Sequence, residues 1–165
     1  MTVGSDRPIG DRPAKVVFAV LVLACFAAFL VTQRLKHTPT AVQAFKLTPV
    51  FSPRPAGHVK QEGISFKLAR ADAVTVTIIN ADGDIVATLV RDHPLPRYKQ
   101  FSLRWNGRRG IARSSSVIRG PDHRVILLPA TRGRLAPTGE YRVRVSLRSQ
   151  ARSVLSPRSF KLAAG

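Results

Sequence analysis

The chain has 165 residues and carries 27 Lys and Arg against 9 Asp and Glu, a net charge of +18 at pH 7. Such a field repels basic partners and steers the encounter with polyanions. A single cysteine excludes an intramolecular disulfide, and four scattered histidines with no second cysteine offer no zinc-ligand spacing, so no metal and no cofactor are expected.

In chain order, residues 1–15 read as a short tail. Val16 to Thr32 (VVFAVLVLACFAAFLVT) are 17 consecutive uncharged residues, eleven of them Leu, Val or Phe. As a helix this run covers roughly 25 Å at about 1.5 Å per residue, near the short end of a bilayer span. Each Leu, Val or Phe favours insertion by roughly 0.3–0.6 kcal/mol. Lys15 closes one end and Gln33, Arg34 and Lys36 the other, where long stems can snorkel to the headgroups. The spacing predicts a transmembrane helix at 16–32, held in a lipid bilayer as a signal-anchor. A cleaved signal fits less well, because its apolar core runs to about 7–15 residues before a small-x-small site. The nearest such triplet here, Val42-Gln43-Ala44, lies well downstream. A lipoprotein would acylate Cys25 after Val22-Leu23-Ala24, yet Phe26 to Val31 continue the apolar run.

Arg7, Arg12 and Lys15 on one flank nearly balance Arg34, Lys36 and Lys46 on the other, so the positive-inside comparison is close to a tie. A short tail before a single helix favours the N-terminus in the cytoplasm and the C-terminal domain outside.

Residues 33–47, with Pro39, read as a linker. The domain expected over 48–165 is all-β, because its apolar residues recur with period 2. Ile64, Phe66 and Leu68 alternate with Ser65 and Lys67, and Val74, Val76 and Ile78 with Thr75 and Thr77. Asn80-Ala81-Asp82-Gly83-Asp84 supplies a hairpin turn in which Gly83 is free to take positive φ. The return strand is Ile85 to Val90, and His93-Pro94-Leu95-Pro96 is expected to break it. Phe101, Leu103 and Trp105 share one face. Val125 to Leu128 add a further strand. Tyr141, Val143, Val145 and Leu147 oppose Arg142, Arg144, Ser146 and Arg148, and a last strand ends at Phe160 and Leu162. Short strands at this density fit an antiparallel β-sandwich interrupted by a long basic loop at about 110–134.

Phe51-Ser52-Pro53, Ile64 to Leu68, Val74 to Ile78 with Asp82-Gly83, Leu103-Arg104-Trp105-Asn106-Gly107-Arg108 and Pro137-Thr138-Gly139-Glu140-Tyr141-Arg142-Val143 together resemble the Ig-like domain of flagellar hook-capping (FlgD-type) proteins. The resemblance covers roughly residues 48 to 162. It implies an Ig-like or fibronectin-III-like sandwich used as an interaction or spacer module in a bacterial envelope, with no enzymatic activity. The membrane is then a bacterial cell membrane. The loop Arg54 to Lys60 lacks the oxygen ligands often seen there in such domains, which argues against calcium. The flagellar role itself does not carry over to an anchored, basic domain.

Trp105 and Tyr141 are expected in the core, the Tyr141 hydroxyl finding a partner, with Gly107 and Gly139 as turn residues. No catalytic residue is assigned. Ser114, Ser115 and Ser116 with Asp122 and His123 contain the parts of a triad, but closeness in sequence is not triad geometry. His37, His58, His93 and His123 stand singly. Arginine outnumbers lysine 20 to 7, and 24 basic residues against 7 acidic ones follow residue 32. Its planar fork suits phosphate and carboxylate. The polyanion-binding candidates are Arg104, Arg108, Arg109, Arg113, Arg119, Arg142, Arg144 and Arg148, with Arg124, Arg132 and Arg134 adding to the loop. The expected partners are anionic lipid, a cell-wall polyanion or a protein. The alternative is a cytosol-facing domain tethering nucleic acid to the membrane, for which stacking aromatics are scarce.

Overall fold

The computed structural model describes residues 11–36, 40–55, 57–120 and 124–164. The tail over 1–10, His37, Asp122 and His123 lie outside the described residues. The chain divides into two units, Met1–Pro39 and Thr40–Gly165.

The first unit contains α1, Asp11–Lys36, 26 residues long and so longer at both ends than the apolar run alone. Pro13 falls in its first turn, where a missing N–H costs no hydrogen bond. Every side chain from 16 to 32 is exposed, and the Thr32 hydroxyl donates to the Ala28 carbonyl within the helix. Among the described residues, no helix is long and apolar enough to cross a membrane.

The second unit is built of strands: β1 Val42–Leu47, β2 Val50–Phe51, β3 Glu62–Leu68, β4 Asp72–Ile79, β5 Ile85–Leu95, β6 Gln100–Trp105, β7 Gly110–Ile111, β8 Ser115–Arg119, β9 Val125–Pro129, β10 Gly139–Leu147, β11 Arg152–Leu155 and β12 Phe160–Leu162. One sheet has the order β1-β3-β6-β9-β8, the other β2-β12-β10-β4-β5-β7, with β11 also against β10. Most pairs are antiparallel, whereas β2–β12, β5–β7 and β6–β9 are parallel.

Period-2 alternation sends one side of each strand inward. Ile64, Phe66 and Leu68 of β3, Leu103 and Trp105 of β6, Val74, Val76 and Ile78 of β4 and Val143, Val145 and Leu147 of β10 join one buried cluster drawn from both sheets. The turn between β4 and β5 closes as the sequence suggests: Gly83 has φ +89°, and the Asp84 N–H donates to Asn80 Oδ1 at 2.8 Å.

Four expectations need correcting. Residues 33–47 are not all linker, since Val42–Leu47 form β1 and pair with β3. Residues 110–134 are not one long loop, because β8 and β9 form a hairpin that extends the first sheet. His93 and Pro94 do not break β5, which pairs through both and ends only at Leu95, opposite Asp72 and directly before Pro96. Register shifts beside Val76 and a positive φ at Asp92 already interrupt this ladder, and an interrupted ladder tolerates proline. Gly139 opens β10 opposite Leu162 rather than making a turn, and a Cβ there would meet only open space.

Candidate functional site

The site begins with the core. Trp105 ends β6 with its ring fully buried, edge-on to Tyr141 at 5.8 Å and tilted against Phe51 at 5.7 Å. Its Nε1–H donates to the Arg108 carbonyl at 2.8 Å, so the chain must fold back over the indole immediately after the strand. Gly107 makes that reversal with φ +77°, a conformation that side chains resist.

The reversed segment is then bound to residues 130–136. Asn106 Oδ1 accepts from the buried Thr131 hydroxyl at 2.7 Å, and Asn106 Nδ2 donates to the Thr131 carbonyl at 3.3 Å. Backbone N–H groups donate from Arg109 to Arg134, from Gly133 to Arg109 and from Ala136 to Gly107, at 2.8–3.0 Å. The two backbones approach so closely that a Cβ on Gly133 would stand 2.4 Å from the Arg109 carbonyl oxygen. Only glycine fits at that position.

This clamp opens onto a cavity of about 340 Å³ whose lining includes Arg109, Arg113 and Arg132 with Ser114 and Gly133. All three arginines are exposed, and among the described residues no carboxylate lines the cavity. Arg108 lies beside it and donates to the Gly133 carbonyl at 3.3 Å, so it braces the clamp. Arginines lining one cavity offer planar guanidinium N–H donors suited to an oxyanion such as a phosphate or carboxylate. Burial raises the Tyr141 hydroxyl above its ordinary pKa, while the Arg109 charge acts to lower it.

The remaining arginines predicted from sequence do not converge there. Arg104 is exposed on β6 in the first sheet, whereas exposed Arg142 and half-buried Arg144 lie on β10 in the second. Since both strands bury their alternate residues in the shared core, these arginines face away from it on opposite sides of the unit. Arg148 lies past the end of β10, 3.8 Å from Asp92 with both side chains largely exposed, an arrangement worth little. Arg119 ends β8. The predicted eight-residue set is therefore dispersed. Arg109 and Arg113 remain together, and Arg132, one more loop arginine in the sequence, completes the group.

Two carboxyl groups brace the unit in opposite electrostatic states. Glu62 stands opposite Trp105 in the β3–β6 ladder and is fully buried. Burial pushes its pKa from 4.5 up to about 8, against the opposing effect of the Thr48 N–H, which donates to Oε1 at 2.8 Å. Its Oε2 has no hydrogen-bond partner among the described residues. Asp72, at the start of β4, is also pushed up by burial. The hydrogen bonds from Ser149, Gln150 and Ala73 outweigh that effect and hold its pKa below the ordinary value.

Among the described residues no group of three or more His, Cys, Asp or Glu could hold a metal ion. The His93 ring lies tilted against Phe101, with centroids 5.3 Å apart. Ser114 lines the arginine cavity, and Ser115 and Ser116 belong to β8. No protein-family model matches this sequence, and a search of curated proteins finds no relative.

Proposed function

We propose that this chain is a membrane-anchored, non-enzymatic, extracytoplasmic Ig-like module that binds anionic envelope polymers or lipid headgroups through Arg109, Arg113 and Arg132. The observation that carries the reading is the cavity itself. Arg109 and Arg132 flank a backbone clamp, Arg113 shares their cavity, and among the described residues no carboxylate lines it.

The Ig-like part is supported by strand order. β1, β3 and β6 are neighbours in one sheet and β12, β10 and β4 in the other, although the two sets are interleaved along the chain, as in a Greek-key sandwich. Near the start of β10 the Tyr141 hydroxyl donates to the Pro137 carbonyl four residues upstream, as in the tyrosine corner of such folds. This is also the module of the hook-capping resemblance. The anchor is supported by α1, whose exposed apolar side chains from 16 to 32 call for a nonaqueous cover. With the N-terminus cytoplasmic, the domain faces the envelope of a bacterial cell.

The test is titration of the full chain, in detergent micelles, with inorganic polyphosphate and with vesicles containing phosphatidylglycerol. Affinity should fall steeply as salt rises, because bound arginines release condensed counterions from a highly charged polymer. Indifference to both probes at about 150 mM salt, where screening extends to roughly 8 Å, contradicts the binding role. Extraction of the chain from membranes by alkaline carbonate contradicts the anchor.

A further inference from the structure

Beyond the arginine cavity, we infer that the free edge of β8 is a docking strand for an extended acidic segment of another protein. Among the described residues β8 ends the first sheet and pairs on one side only, with β9. The Ala130 N–H donates to the Ser114 carbonyl, and the Gly120 N–H to the Arg124 carbonyl, at 2.8 and 2.9 Å. Between those bonds the register runs without a shift, from Ser115↔Pro129 to Arg119↔Val125. Bonded and non-bonded pairs alternate along an antiparallel ladder. Residues 114, 116, 118 and 120 therefore bond to β9, while Ser115, Val117 and Arg119 aim their N–H and C=O groups away from the sheet. Pro129 fits this phase, because it stands opposite Ser115, where the ladder asks no N–H of it.

Other edges of the two sheets are blunted. β2 and β7 are two residues long and β11 four. β1 carries a register shift with Ala44 at φ +51°, and β5 carries Asp92 at positive φ and Pro94. Bulges, prolines and short strands are the devices that deny an edge to incoming chains. β8 has five regular residues, all exposed, and neither a bulge nor a proline.

Charge selects the occupant. Exposed Arg113 and Arg119 flank the free groups, with Val117, 58% exposed, between them. A second copy brings 24 basic residues against 7 to the same edge, so like charges oppose self-pairing. An acidic strand adds main-chain bonds to an attractive field, the mode of β-augmentation.

The experiment titrates the full chain in detergent micelles with a fluorescein-labelled peptide of alternating Glu and Thr, read by anisotropy. A second peptide carries N-methyl groups on alternate residues, keeping the charge while removing donors. The parent peptide should bind and slow amide hydrogen exchange at Val117 and Arg119. The N-methylated peptide should bind more than roughly tenfold more weakly, since the β8 carbonyls then face no donor. Val117→Pro should weaken binding similarly with an unchanged melting temperature, because its N–H faces away from β9. Equal affinity for the two peptides, unchanged exchange at Val117 and Arg119, no binding of the parent peptide, or concentration-dependent dimerisation through β8 would each overturn the inference.

Discussion

Two groups of arginines share one unit and differ in how they are held. Arg142 and Arg144 ride on β10, where alternation places them on an outer face and the core behind them fixes the spacing. Arg109, Arg113 and Arg132 lie outside any such alternation, and they share one cavity beside the clamp in which Trp105, Asn106, Thr131 and Gly133 hold two distant segments together. The strand supplies exposure without convergence. The clamp gathers arginines from separate segments around one cavity, and it makes that cavity depend on residues that would never touch a ligand.

The largest effect on this contrast should come from Trp105→Ala. Removing the buried ring is expected to destabilise the unit by roughly 3–5 kcal/mol, and it frees the Arg108 carbonyl as well. Chemical denaturation measures the loss. An unchanged midpoint would show that the indole anchors neither the core nor the clamp.

Next in size is a pH effect, and here the two carboxyl braces have opposite signs. Glu62 has a folded pKa of about 8 against 4.5, so its contribution is fully present below pH 4.5 and lost as pH rises toward 8. Glu62→Gln should abolish that dependence and leave the variant more stable than the parent above pH 8. Asp72 is depressed, so its contribution holds above its ordinary value of 3.8 and disappears as pH falls. Melting curves across pH separate the two, and a Glu62→Gln profile parallel to the parent's would remove Glu62 from the account.

Gly133→Ala should cost less, roughly 1–3 kcal/mol, as overpacking does. The added methyl must displace the Arg109 carbonyl, so anion binding should weaken more than the modest loss of stability implies. Full retention of both would show that the close approach is dispensable.

How much of this was legible in the sequence follows from the same contrast. β3, β4, β6 and β10 show their alternation openly, because each buries one face and exposes the other. β1 did not, since its bulge at Ala44 breaks the period between Gln43 and Lys46. β8 was equally hidden, because Ser115-Ser116-Val117-Ile118-Arg119 is exposed on both faces and so has no pattern to show. Trp105 was placed in the core by its phase with Leu103. The arginine cavity was beyond local reading, for its lock joins Asn106 to Thr131 across 25 residues. Charge alone gives Arg104 and Arg142 the same standing as Arg109, because it carries no information on which sheet or loop each arginine occupies.

The most direct measurement compares two triple variants of the full chain on inorganic polyphosphate over a salt series. One replaces Arg109, Arg113 and Arg132 with Ser, the other Arg142, Arg144 and Arg148, so both remove the same charge. The cavity variant should bind far more weakly, with a salt slope flattened by roughly 0.9 for each phosphate that is no longer neutralised, on a polymer of duplex-like charge density. The strand variant should keep nearly the parent's slope. Equal weakening in the two variants would mean that the charge acts diffusely and that the clamped arginines form no site.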